Sequence, residues 1–93
     1  KMTNDEKLEL MAEIDPEMLL MPGYEDALIG VVTRCAQVPI AIYDVEKIIE
    51  CLIREGLSYE EAAEHLSYNM EGGWVGKYTP GFLRQFDDEA HWP

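Results

Sequence analysis

The sequence has few cysteines and no long apolar run, and it therefore lacks the features of small secreted domains and of membrane-spanning proteins. It has only two cysteines, Cys35 and Cys51, and both lie in apolar segments, whereas small secreted domains are usually much denser in cysteine. No stretch approaches the roughly 18 uninterrupted apolar residues that a membrane span needs, and the opening KMTNDEKLEL is too charged for a secretory signal. We therefore predict a cytoplasmic protein with two reduced, buried thiols and no membrane contact, and a disulfide between the two cysteines is the alternative.

Basic residues are also scarce. Seven Lys and Arg stand against nineteen Asp and Glu, which gives a net charge of −12. Eight acidic and two basic residues fall in 1–26, four and three in 27–56, and seven and two in 57–93. Such a field repels nucleic acid and anionic lipid and attracts basic surfaces. We expect no direct nucleic-acid binding, and two interpretations of the charge stay open: solubility alone, or recognition of a basic partner.

The length and the apolar content indicate one globular domain over 1–93, with an acidic N-terminal segment at 1–23 and the core at 24–86. Thr3 or Asn4 can cap a short N-terminal helix. The apolar run at 18–21 is expected to plug the core, and a contact with a second copy is the alternative.

The middle of the chain predicts a β-hairpin followed by two helices. Residues 27–35, ALIGVVTRC, and 39–44, PIAIYD, are typical of strands, and the short connector between them favours antiparallel pairing. Asp44 can cap a helix whose apolar residues recur at helical spacing (Val45, Ile48, Ile49, Leu52 and Ile53) and which ends at Gly56. Two strands alone make a weak sheet, so an exposed hairpin edge could pair with another copy as a homodimer.

The second helix begins at Ser58, where SYEE is a capping box between Ser58 and Glu61. Its inner face contains Tyr59, Ala62, Ala63 and Leu66, and Gly72-Gly73 ends it. The predicted class is therefore α+β: an antiparallel hairpin packed against two consecutive helices, with a short N-terminal helix and an irregular C-terminal tail.

The segment NMEGGWVGKYTPGF, residues 69–82, holds four of the seven glycines. It does not fit a phosphate-binding loop, because Glu71 stands where the first glycine should be and Tyr78 follows Lys77 in place of Ser or Thr. We expect the segment to turn back so that Trp74 and Val75 pack on the core. An exposed aromatic surface that also uses Trp92 is the alternative.

No motif indicates an enzyme, a cofactor or a metal site. His65 lies four residues after Glu61, but no further ligand accompanies them at metal-binding spacing. If the glycine-rich segment forms a binding site, its polar and aromatic residues, together with those at the end of the second strand, are the candidates: Tyr43, Asp44, Asn69, Glu71, Trp74 and Tyr78.

Three stretches carry a family resemblance: YEDALIGVV, IYDVEKIIECLIREGLSYEEAAEH and YNMEGGWVGKYTP. Over roughly the middle 60% of its length, the chain resembles small acidic proteins of tailed bacteriophages and prophages. The resemblance implies action in the cytoplasm of a bacterial host, and it implies no activity.

Two functional hypotheses follow from the sequence. The first is a protein-binding module, an accessory or counter-defence protein that engages a basic, nucleic-acid-handling partner. The second is a small ligand-binding or catalytic domain with its site near residues 69–80. The charge favours the first.

Overall fold

A computed structural model describes residues 1–86 as an α+β fold. Along the chain lie helix α1 (Asn4–Ile14), a 3-10 turn (Glu25–Ala27), strands β1 (Leu28–Val32) and β2 (Ile40–Asp44), helices α2 (Val45–Arg54) and α3 (Tyr59–His65), a π-helical segment (Leu66–Glu71) and strand β3 (Gly81–Leu83). The predicted fold class is confirmed, including the short N-terminal helix, the hairpin and the two later helices.

The sheet has three strands in the order β1-β2-β3, with β1 antiparallel and β3 parallel to β2. The predicted irregular tail is therefore wrong at residues 81–83, which pair with residues 42–44. Gly81 leaves room for the Ile42 side chain in this pairing, since a Cβ atom at Gly81 would lie 2.7 Å from the Cδ1 atom of Ile42 and that side-chain end would have to move. β3 pairs with the outer side of β2 and gives the hairpin its third strand, so β1 and β3 are the two edges of the described sheet.

The hairpin is shorter than its predicted strands. Its last pair is Val32 with Ile40, and the Gln37 N–H donates to the Arg34 carbonyl at 3.0 Å in the turn between them. Cys35 lies in this turn and is exposed, so the predicted burial holds only for Cys51. The stretch 27–32, which has no polar side chain, ends at Val32, and the strand ends with it.

The predicted helix caps are confirmed. Thr3 and Glu6 form a capping box on α1, Ser58 and Glu61 form one on α3, and Asp44 caps α2. The helical path that starts at α3 continues to Glu71 and ends at Gly72, as predicted.

The core lies between the sheet and helix α2, which packs on β2 and on α3. Its buried side chains come from residues 11–66, including Met11, Met18, Leu28, Tyr43, Ile48, Leu52 and Leu66. The 18–21 run contributes Met18, and Leu19 from the same run stays exposed. Ile53 and Tyr59 are also exposed, contrary to their predicted inner faces. No helix within residues 1–86 is long and apolar enough to cross a bilayer.

The glycine-rich segment folds differently from the prediction. Trp74 and Val75 are 75% and 68% exposed instead of packing on the core. The loop satisfies its own polar groups, because the Val75 N–H donates to the Thr79 hydroxyl at 2.9 Å and that hydroxyl donates to the Gly76 carbonyl at 2.6 Å. Gly76 has a φ of 111°, which favours glycine. Only the flanks of the segment, such as Tyr78 and Phe82, pack against the core.

Candidate functional site

Tyr43 is a buried anchor at the end of β2. Its side chain is 1% exposed, and its hydroxyl accepts a hydrogen bond of 2.8 Å from the Met21 N–H. Burial raises the pKa of the Tyr43 phenol, because the charged form would lose its water. The hydroxyl thus holds the chain around residue 21 to the sheet, and it is not presented to a ligand.

Asp44 is the next residue and is 6% exposed. One carboxylate oxygen accepts from the Lys47 N–H at 3.0 Å, and the other accepts from the Gln85 side-chain amide at 3.2 Å. The first bond satisfies a free N–H at the start of α2. The second connects the helix start to the chain that leaves β3.

Glu71 makes a bidentate ion pair with Arg84. Its two oxygens accept from the guanidinium nitrogens at 2.6 and 2.8 Å. The hydrogen bonds from Arg84 lower the pKa of the Glu71 carboxyl. Arg84 and Gln85 are consecutive, so the structure does bring Asp44 and Glu71 to one short segment. In that segment both carboxylates already have protein partners.

Tyr78 connects the two ends of the described chain. Its hydroxyl donates to an Asp15 carboxylate oxygen at 2.8 Å, and a Glu17 oxygen lies 3.5 Å away. The hydrogen bond to Asp15, followed by the loss of water contact and the nearby negative charges, raises the pKa of Tyr78 to about 12. The Lys77 ammonium stands 5.6 Å from the centre of the ring.

Asn69 and Trp74 are the predicted site residues that stay on the surface. The Asn69 amide nitrogen lies 3.3 Å from the Nδ1 atom of His65, four residues earlier. Trp74 follows the two glycines and projects from the exposed loop. Within residues 1–86, no group of three or more His, Cys, Asp and Glu side chains is placed to hold a metal ion.

Two residues close to Trp74 along the chain also have exposed apolar side chains. Tyr68 is 79% exposed and Val75 is 68% exposed, and with Trp74 they define what we name the aromatic loop surface. Helix α3, directly before it, carries Glu60, Glu61 and Glu64 on exposed positions. The Glu71–Arg84 ion pair ties the end of the π-helical segment to the chain after β3. Apolar rings and carboxylates therefore share this part of the molecule.

A second feature, which the sequence reasoning missed, is a cleft of about 690 Å³ bounded by α1, β1 and α2. None of the six candidate site residues lines it. Four of the seven Lys and Arg residues do: Lys1, Lys7, Lys47 and Arg54. A signal existed in the sequence, since Lys47 and Arg54 stand seven residues apart on one face of the predicted helix.

Comparison with family models, with curated proteins and with solved structures found no match for this chain. The bacteriophage resemblance therefore stays a prediction.

Proposed function

We propose that this chain is a protein-binding module whose aromatic loop surface and acidic helix α3 dock onto a basic partner protein. The observation that carries the proposal is the exposure of Tyr68, Trp74 and Val75 in a chain of net charge −12. The three side chains lie within eight residues of the chain, and Trp and Tyr are frequent hot-spot residues of protein interfaces.

The chemistry of the surface favours a partner rich in Lys and Arg. Their cationic groups stack on Trp and Tyr rings, and their charges pair with the carboxylates of α3. Between residues 59 and 86 four glutamates stand against two basic residues, and one of these two, Arg84, is already paired with Glu71. The local field that a partner meets is therefore negative.

The partner class that we propose is a nucleic-acid-handling protein of a bacterial host, since such proteins carry basic surfaces for phosphate contacts. The negative field of the chain itself opposes direct nucleic-acid binding. In this proposal the module acts in the cytoplasm as an accessory or counter-defence protein, as the bacteriophage resemblance implies.

The test starts with capture from bacterial lysate and is decided with the purified partner. We expect a basic protein to bind directly in calorimetry, with an affinity that falls as NaCl rises from about 50 to 300 mM. Trp74→Ala should weaken binding by about tenfold or more. The matched control is Ile53→Ala, which removes another exposed apolar side chain from a different element. An affinity that does not change with NaCl concentration would refute the proposed surface. Equal affinities of Trp74→Ala and Ile53→Ala for the partner would also refute it.

A further inference from the structure

The cleft between α1, β1 and α2 differs in charge from the rest of the molecule. Its lining includes four basic residues and two acidic ones, Asp26 and Glu50, although acidic residues outnumber basic ones nineteen to seven in the chain. All its lining residues come from 1–54, whereas the aromatic loop surface lies at 68–75. The cleft is therefore a separate site from the proposed partner surface.

The positive groups of the cleft differ in availability. Arg54 is paired with Asp26 at 3.0 Å and also donates to the Cys51 sulfur at 3.2 Å. The Lys7 ammonium donates to the Glu25 carbonyl at 2.9 Å and makes no ion pair within residues 1–86, although its charge helps to lower the pKa of the nearby Asp26 carboxyl. The Lys47 ammonium has no hydrogen bond or ion pair within residues 1–86. Lys1, Lys7 and Lys47 therefore have no ion pair within residues 1–86. Of these three, Lys7 and Lys47 are held on helices α1 and α2, and they are the cations that we assign to an incoming anion.

The rest of the lining is apolar. Leu10 from α1 and Ile29 from β1 are exposed there, and Met11 and Leu28 are buried beneath them. Ile29 is at the β-bulge of β1, where the pairing register with β2 shifts between Leu28 and Gly30. This side chain is 40% exposed and lines the cleft together with Lys7 and Lys47. A volume of about 690 Å³ lies within the range of sites for small organic molecules.

We infer that this cleft binds a small amphipathic anion, which carries a carboxylate or phosphate head on a compact apolar body. Lys7 and Lys47 would engage the head, and Leu10 and Ile29 would contact the body. A purely inorganic anion leaves the apolar lining in water, and a neutral apolar molecule leaves both ammonium groups unused. The cleft therefore favours a ligand that has both an anionic head for the two lysines and an apolar body for the apolar lining.

The direct test is an NMR titration of the ¹⁵N-labelled chain with 4-phenylbutyrate. We expect the amide signals of α1, β1 and α2 around the cleft to shift in a saturable way. The neutral analogue 4-phenylbutan-1-ol should bind about fivefold or more weakly, because it offers the same apolar body without the charge. A parallel titration with 4-phenylbutyl phosphate identifies the preferred head group, and preference for either anion supports the inference.

Two charge reversals provide the matched comparison. Lys47→Glu should weaken binding of 4-phenylbutyrate by about fivefold or more. Arg34→Glu makes the same change in charge in the exposed hairpin turn, outside the cleft, and should leave the affinity close to that of the unchanged chain. Leu10→Gln, at an exposed helical position, should weaken the binding of 4-phenylbutyrate and of 4-phenylbutan-1-ol by the same factor. The NMR spectra verify that each variant is folded.

Three results would overturn the inference. The first is a set of shifts confined to residues 68–75, the second is equal affinity for the alcohol and the carboxylate, and the third is equal affinity for Lys47→Glu and Arg34→Glu. Loss of partner binding in Trp74→Ala has no bearing on these readouts, because the two sites share no residue.

Discussion

At the scale of single residues, the contact between Tyr78 and Asp15 shows how a loop near the end of the described chain is held to its beginning. The phenol donates to the carboxylate across 63 positions of sequence. Glu17 adds a second negative oxygen at 3.5 Å. A proton on Tyr78 is therefore stabilised by the fold, and its removal would place a phenolate beside two carboxylates.

This contact predicts a specific alkaline sensitivity. The pKa of Tyr78 is raised from 10.0 to about 12, so the stabilisation is fully present below the ordinary pKa and is lost as the pH rises through the folded-state value. We expect Asp15→Asn to return the pKa of Tyr78 toward 10 and to reduce the loss of stability between these pH values. The ring carbon shift of Tyr78, followed by ¹³C NMR against pH, measures the first effect, and urea unfolding measures the second.

The control for this prediction is Glu17→Gln, which removes a carboxylate at a longer distance and should lower the pKa of Tyr78 less than Asp15→Asn does. A Tyr78 pKa that is the same in the Asp15→Asn variant and in the unchanged chain would contradict the assignment of the contact.

Asp44 and Tyr43 are neighbours in sequence, but the Lys47 N–H that Asp44 caps and the Met21 N–H that Tyr43 binds lie at very different distances along the chain. Asp44 was predicted both to cap α2 and to belong to a binding site, and the capping is what the structure shows. A cap depends on the next three residues, so it is visible locally. The partner of Tyr43, the Met21 N–H, lies 22 positions away, and nothing near Tyr43 in sequence indicates it.

At the scale of elements, β3 is the main addition that the structure makes to the sequence prediction. It is only three residues long, too short to show the alternation by which a strand is recognised in sequence. Its position is maintained by side chains just after it, since Arg84 binds Glu71 and Gln85 binds Asp44. These two contacts hold the end of β3 against the end of the π-helical segment and the start of α2.

We predict that Glu71→Gln lowers the free energy of unfolding by about 1 kcal/mol at neutral pH, the size expected for a partly buried, two-pronged ion pair. The pKa of Glu71 is lowered from 4.5, so its contribution is present above that ordinary value and is lost as the pH falls through the folded-state pKa. Urea unfolding of both proteins at pH 7 and pH 3 should show a difference at the first pH that shrinks at the second.

The matched control is Glu64→Gln, which removes the same charge from an exposed position on α3. Equal stability of the two variants at neutral pH would mean that the ion pair with Arg84 contributes nothing measurable.

At the scale of the whole molecule, charge is separated into two environments. Carboxylates dominate a body of 36 × 28 × 27 Å with a net charge of −12. The cleft between α1, β1 and α2 gathers four of the seven basic residues. The acidic exterior is the basis of the proposed binding to a basic protein, and the cleft is the basis of the proposed binding of an anion.

The exterior charge predicts that salt stabilises the fold. Like charges repel more strongly in the compact state than in the unfolded chain, and added ions screen that repulsion. We expect the midpoint of thermal unfolding to rise by about 4 °C or more between low salt and roughly 150 mM NaCl, which corresponds to ~1 kcal/mol for a chain of this size. Differential scanning calorimetry measures it.

A variant with glutamine at Glu9, Glu13, Glu60 and Glu64, all exposed, should respond less to salt. A midpoint that stays flat or falls with salt in the unchanged chain would show that local ion pairs outweigh the net repulsion.

The sequence by itself determined the α+β class, the helix caps and the hairpin, because hydrophobic periodicity and capping act between residues a few positions apart. Only the tertiary structure decided that β3 joins the sheet, that Trp74 faces water, and that lysines from α1 and α2 meet at one cleft. Each of these depends on which distant surfaces are brought together, and side chains separated by tens of residues leave no periodic trace of that meeting in the chain.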